Sequence, residues 1–151
     1  MTAAAFSAER TLHIVVRVGA ERFAFPVSNV EEAMDAPTVE WVPVAPAGML
    51  GQLKHRDRML SAWDGGWAFG LVRGVGAGAA IVLRDDARRI ALIVDDVVDV
   101  SRLEPGGVRA VPAGADSTGV LSGVCLPADG GGLLVNVVRV ESLMASLGSA
   151  R

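Results

Sequence analysis

Few residues in this chain are spaced for chemistry, and each such grouping is incomplete. His55-Arg56-Asp57 imitates the catalytic triplet of protein kinases. Those enzymes need an asparagine five residues beyond the aspartate to hold a second magnesium ion, and here that position is Ala62. Gly74-Val75-Gly76-Ala77-Gly78-Ala79 satisfies a loose GxGxxA pattern. A dinucleotide loop must open a helix whose N-terminus holds the pyrophosphate, whereas this one opens Ile81-Val82-Leu83, a strand-forming run.

Metal-ligand spacing is equally poor. The two histidines, His13 and His55, are far apart, and the single cysteine, Cys125, is remote from both. Asp85-Asp86 and Asp95-Asp96 have the right hard oxygens for a cation but read more simply as a turn and a strand end. No serine, cysteine or lysine has an evident base beside it, so no nucleophile can be nominated, and the chain has no tyrosine. The residues therefore imply no catalytic group, no cofactor and no metal.

The composition agrees with a binding module. Of 151 residues, 51% are hydrophobic and 21% charged, ample for a buried core and too apolar for disorder. The net charge of −3 and a pI near 5.3 offer no basic footprint for nucleic acid. One thiol cannot close an internal disulfide, and Val124-Cys125-Leu126 reads as a buried, inert cysteine. Met1 to Arg10 lacks the layout of a secretory signal, and no apolar run approaches the ~20 residues that span a bilayer. The expectation is a soluble, cytoplasmic protein without membrane insertion.

The elements that must position these residues are mostly strands. His13–Val18 and Arg22–Phe25 form a hairpin across Gly19-Ala20. Ser28–Met34 reads as a short helix with Ser28 as N-cap and Glu31 and Glu32 in its first turn. Val39–Val44 is extended, and Gly48–Gly51 turns the chain. Lys54–Arg58 is a polar segment before Met59-Leu60, and Gly65-Gly66 interrupts the pattern after Trp63-Asp64. Ala79–Leu83 and Arg89–Val94 are strong strands joined by the turn-forming Arg84–Arg88, after a glycine-rich loop at Gly74–Gly78. Val97–Leu103 is a bent strand, and Leu121–Leu126 with Leu133–Val137 makes a last hairpin across Ala128–Gly132. Val137, Val140, Leu143, Met144 and Leu147 recur at helical spacing, with Asn136 as a candidate N-cap and Gly148 as the stop. About ten short strands separated by glycine turns imply an all-β barrel or sandwich.

One stretch carries more specific information. Gly51, Arg56 and Asp64 stand in the register of G-x-x-N-L-R-G-x-x-x-P-x-x-D-L, a pattern of CheW-like domains, with Met59, Leu60 and Trp63 at its apolar positions. Phe69-Gly70-Leu71 resembles the family's closing F-G-L. Phe23–Pro26 followed by Val30-Glu31-Glu32 is similar to its strand and V-x-E-I segment. Ile90–Val100 resembles G-I-x-V-D-x-V-x-D-V, and Gly123 with Leu133-Leu134-Val135-Asn136 resembles the closing hairpin and helix. The blocks occur in order over residues 11 to 145. The departures are Lys54, His55 and Asp57 in place of Asn, Leu and Gly, Ser61 in place of Pro, and Ala33 in place of Ile. They make the central motif more polar, and a divergent partner specificity follows as an expectation.

The resemblance implies two side-by-side, five-stranded SH3-like barrels with a C-terminal helix, forming one domain over 11–147 with flexible termini at 1–10 and 148–151. It implies a non-catalytic chemotaxis adaptor at receptor arrays. Its partners would be a chemoreceptor's cytoplasmic tip, the regulatory domain of a CheA-type histidine kinase, and other CheW-like proteins. Carried over by position, the contact residues would be Val30, Glu32, Arg56, Ala79, Val97 and Val100. For the valines, core packing is the competing reading, and Glu32 could equally be a solvated charge. Arg56 suits a planar fork to carboxylates or carbonyls; Asp64 could pair with it or cap the next turn. Trp63 and Trp67 could anchor a partner or fill the core, and the core is favoured. The alternative reading is a small barrel enzyme or ligand-binding domain, which would need an apolar pocket with converging polar groups.

Overall fold

The computed structural model describes residues 11–148 apart from 75, 77, 87, 105–106, 113, 115, 117 and 127–132. Of the expected termini at 1–10 and 148–151, all but Gly148 lie outside the described residues, as does the turn across Ala128–Gly132. The ten strands among those described are β1 (Thr11–Val18), β2 (Glu21–Pro26), β3 (Val30–Asp35), β4 (Met49–His55), β5 (Arg58–Asp64), β6 (Ala79–Arg84), β7 (Arg89–Val94), β8 (Asp96–Leu103), β9 (Leu121–Cys125) and β10 (Val135–Val138). Two helices are present, α1 (Gly65–Phe69) and α2 (Val140–Ser146). The strands form two five-stranded sheets, ordered β8-β1-β2-β10-β9 and β3-β6-β7-β5-β4. The all-β architecture with a C-terminal helix expected from the sequence is what the chain adopts.

The two sheets are one plan used twice. In each, a central hairpin (β1–β2 or β6–β7) pairs antiparallel with an edge strand on one side. On its other side it pairs in parallel with the second strand of another hairpin (β9–β10 or β4–β5). A short helix follows that second strand in both halves. Superposing the plans brings Ile14 onto Ile81, Val15 onto Val82, Arg17 onto Arg84, Arg22 onto Arg89, Ala24 onto Ala91 and Val30 onto Val97, at one constant sequence offset. The irregularities coincide too. β3 is bulged between Val30 and Glu32, and β8 skips from Val97 to Asp99 opposite Val16 and Val15. The first sheet combines β1 and β2 with β8, β9 and β10, distant in sequence, so the repeat is hard to see linearly.

Burial explains the composition of the central strands. Phe23 and Phe25 of β2, and Ile90, Leu92 and Val94 of β7, point into a core shared by both sheets and by Leu143 and Met144 of α2. The alternate residues face smaller private cores: Ala24 with Val15, Leu103, Cys125, Val135 and Val137, and Ala91 and Ile93 with Leu53, Ala62 and Ala80. A strand buried on both faces has no reason to alternate with polar residues. That is why Ile90-Ala91-Leu92-Ile93-Val94 is an unbroken apolar run. Burial also pushes the Cys125 thiol upward in pKa, away from reactivity.

Five local expectations need correction or refinement. The helix expected at Ser28–Met34 is one 3-10 turn, Val27–Asn29, followed by β3. Ser28 makes no capping bond, because the turn starts after Pro26 and β6 supplies the backbone partners for β3. The extended piece Val39–Val44 pairs only at Glu40, which exchanges backbone bonds of 2.6 and 2.8 Å with Gln52. The turn expected at Gly48–Gly51 lies at Ala47-Gly48, closed by the Met49 N–H donating to the Pro46 carbonyl at 3.0 Å, and Met49–Gly51 already belong to β4. There Gly51 (φ 154°) would place a Cβ 2.1 Å from the Glu40 carbonyl oxygen, so only glycine fits. Gly65-Gly66 interrupts the strand pattern by starting a helix: Asp64 accepts from Gly66 N–H at 2.8 Å, and left-handed Gly70 closes it. Asn136, read as an N-cap, lies in β10 and donates to the Arg22 carbonyl at 2.9 Å; α2 begins after Arg139.

Long loops are held by carboxylates. Asp116 accepts from the N–H groups of Gly119 (2.9 Å), Leu121 (3.0 Å) and Val120 (3.3 Å), and from the Thr118 hydroxyl. Partial burial opposes its charge, but the bonds from Leu121, Gly119, Val120 and Thr118 outweigh it and hold the pKa below the ordinary value. A depressed folded-state pKa contributes stability above the unfolded value, and that contribution disappears as pH falls through the folded one. Asp116→Asn is therefore expected to cost ~1–2 kcal/mol at pH 7 and to flatten the loss of stability in acid. Urea melts across the acidic range check this; an unchanged midpoint at neutral pH counts against it.

Candidate functional site

The polar motif around Arg56 forms the tip of the β4–β5 hairpin. His55 pairs with Arg58, so Arg56 and Asp57 are a two-residue loop. Arg56 has φ 56° and Asp57 is not left-handed, so the positive φ falls at the first loop position, where this kind of turn normally takes glycine. An exposed arginine is thus held in a conformation that costs an L-residue ~1–2 kcal/mol. Strain of this kind tends to collect where a side chain is needed for function.

Behind the tip, His55 is buried, and its Nε2 lies 3.1 Å from Glu32 Oε1 on β3. The bulge at Glu31 re-aims its carboxylate, which accepts from Arg89 Nε at 2.9 Å. That bond, reinforced by the charges of Arg89, Arg84 and His55, lowers the Glu31 pKa against the effect of burial. Two adjacent acids of β3 therefore tie it separately to the β4–β5 hairpin and to β7. Glu32, far away in sequence, is thus bonded to His55, the residue that precedes Arg56.

The remaining expected contact residues divide. Val30 and Val97 are half-buried equivalents of the internal repeat and pack against the shared core. Val100 on edge strand β8 is 55% exposed. Ala79 is 1% exposed, paired with Val94 and Asp35 inside the sheet, so its side chain is not available to a partner; a small residue fits there because it is core. Asp64 pairs with Arg73 Nε at 3.0 Å and caps α1; it does not pair with Arg56. Trp63 is core, its indole N–H donating to Ser61 Oγ at 2.9 Å, while Trp67 is half-buried beside it. The third tryptophan, Trp41, is 78% exposed next to fully exposed Val44, which sequence inspection passes over because nothing local marks a loop tryptophan as unburied.

Among the described residues, no group of three or more His, Cys, Asp or Glu is placed to hold a metal ion. No helix is long and apolar enough to cross a membrane. The largest concavity described, about 630 Å³, is open and polar, lined by Arg58, Arg84, Arg88 and Arg89 among others. It is not the enclosed apolar pocket that a small-molecule site would need.

Known proteins place this arrangement. No curated protein matches the chain. The structure is similar to the scaffolding protein TtCheW from Thermoanaerobacter tengcongensis, with a TM-score of 0.78 and 18% identity over 94% of this chain and 97% of that one. At that identity the likeness speaks for the fold. The family model for the CheW-like domain matches residues 13–148, from the first strand to the glycine that stops the last helix. A family model matched over nearly the whole chain, on a fold of paired five-stranded sheets, leads to one assignment: this protein belongs to the CheW-like family.

Proposed function

We propose that the chain is a cytoplasmic chemotaxis adaptor that couples the hairpin tip of a chemoreceptor to the regulatory domain of a CheA-type histidine kinase. A scaffolding role without catalysis is the coarse function of the family. The observation that supports the finer reading is the bond of Glu32 to the buried His55, directly before Arg56, with exposed Arg56 kept in a strained conformation. In this reading Arg56 and Glu32 meet the receptor helices, Val30 and Val97 line the apolar part of the contact, and Val100 extends it along the edge of β8. Ala79 acts only by shaping the strand beneath. Such contacts are individually small, and avidity in an array supplies the strength.

Isothermal titration of the purified protein with a receptor hairpin fragment and, separately, with a kinase regulatory domain tests this. Dissociation constants of about 1–100 μM are expected for both, with Val100→Lys weakening at least one of them. Binding to neither ends the reading. The polar surround of Arg56 supports a divergent specificity. If Lys54→Asn, His55→Leu and Asp57→Gly together leave receptor-fragment affinity unchanged, that part fails.

A further inference from the structure

The arginine-lined concavity beside the β4–β5 tip has no role in the adaptor reading. Its cations come from separate elements: Arg58 from the start of β5, and Arg84, Arg88 and Arg89 from the β6–β7 hairpin. Arg58 and Arg89 also line an adjoining hollow of about 230 Å³ that contains Arg56. Five of the chain's 14 basic residues thus form one continuous band on a protein of net charge −3.

Four acids share the band with the five arginines, a formal excess of one positive charge, but one of these arginines is ion-paired with a carboxylate among the described residues. Glu31 takes Arg89. Arg88 is spent on neutral acceptors, the carbonyls of Met144 (2.8 Å) and Leu147 (3.3 Å), with its guanidinium 5.9 Å from the Trp63 ring centroid. Its charge is fixed in place and left without an anion. Arg56, Arg58 and Arg84 are exposed and make no ion pair among the described residues. The acids in the band are Glu31, Asp57, Asp85 and Asp86; Asp85 uses one oxygen to accept from the Arg88 backbone N–H at 3.0 Å. The floor includes half-exposed Met59 and the polar Ser28.

We infer that this band is a docking groove for an acidic peptide segment of a protein partner, its carboxylates spaced along an extended or helical chain. An open concavity whose guanidinium groups come from separate elements, with half-exposed Met59 beside them, fits a polypeptide carrying several carboxylates better than one compact anion. The inference rests on charge complementarity and does not depend on which protein supplies the segment. Its failure would leave the adaptor reading standing.

Fluorescence anisotropy of the full chain with a labelled glutamate-rich peptide tests it, with the glutamine version as control. Binding of the glutamate peptide alone is expected, weakening as salt rises. The double variant Arg58→Glu/Arg84→Glu is expected to weaken it about tenfold or more, since attraction becomes repulsion at two contacts. Arg102→Glu, an exposed cation of β8 outside the band, is expected to leave it unchanged. Near-UV circular dichroism verifies that the exposed substitutions leave the fold intact. Equal binding of the glutamine peptide, indifference to Arg58→Glu/Arg84→Glu, or full displacement by inorganic phosphate at concentrations equal to the peptide's would overturn the proposal, the last by pointing to a small-anion site.

Discussion

Arg56→Gly is expected to make the protein more stable and a poorer binder. Relief of the left-handed conformation returns ~1–2 kcal/mol, and the added freedom of glycine in the unfolded chain removes ~0.4–1 kcal/mol of that. A net gain of about 0.5–1 kcal/mol should raise Tm by roughly 1–4 °C for a domain of this size. No internal bond of the Arg56 side chain offsets this, because it is exposed and makes no ion pair among the described residues. Affinity for the receptor hairpin fragment should meanwhile fall about tenfold or more, the scale of losing a charged fork at an interface. Arg56→Lys separates the contributions: it keeps the strain and the charge but loses the bidentate geometry, so stability should stay level while affinity drops less. If Arg56→Gly stabilises and binding does not change, Arg56 is not a contact residue. If it destabilises, the tip is not strained in the way described.

Asp95→Ala is expected to be the most damaging single polar truncation for stability. Its carboxylate accepts from Gly19 N–H in the β1–β2 turn and from Gly74 N–H beyond α1, each at 2.7 Å, and lies 3.9 Å from Arg17. Its own N–H donates to the Arg17 carbonyl at 3.0 Å. One side chain therefore links the first sheet's central hairpin to the loop that leaves α1, at the point where β7 passes into β8. Charge-assisted bonds to backbone N–H groups contribute ~1.5–3 kcal/mol each when shielded. The Gly74 bond is solvent-exposed and Arg17 is largely so, which reduces the expected total to about 2–3 kcal/mol. Asp95→Asn keeps one strong acceptor and should lose about half as much. Chemical denaturation monitored by tryptophan fluorescence measures both. A loss below ~0.5 kcal/mol for the alanine variant, the range of ordinary surface substitutions, would mean the two turns hold themselves without Asp95.

Much of this molecule is legible in its amino-acid order because the dominant signals are local. β-branched runs bounded by glycine, the Arg84–Arg88 turn and the helical spacing of Val140, Leu143, Met144 and Leu147 act over a few residues, and the chain follows them. The ordered motif blocks led to the family and hence to paired sheets. Where local and distant preferences conflict, the distant ones prevail. Ser28–Met34 has acceptable helix chemistry, yet one face of β6 needs a hydrogen-bonding partner and Val30–Asp35 provides it. Gly65-Gly66 has poor helix propensity, yet a Cβ at Gly65 would lie 2.6 Å from the Ile93 carbonyl oxygen. The close approach of α1 to β7 therefore requires glycine.

Composition and periodicity by themselves determined an all-β chain with an amphipathic last helix and no grouping suited to catalysis. Tertiary structure alone decided which charges meet. Glu32 reaches His55, Arg88 reaches the end of α2, and Arg58 joins Arg84 and Arg89, because antiparallel and parallel pairing bring distant strands to a few ångströms from each other. It also decided that Ala79 is interior while Val100 is not. β6 lies within a sheet, between β3 and β7, whereas β8 lies at the edge of the other sheet.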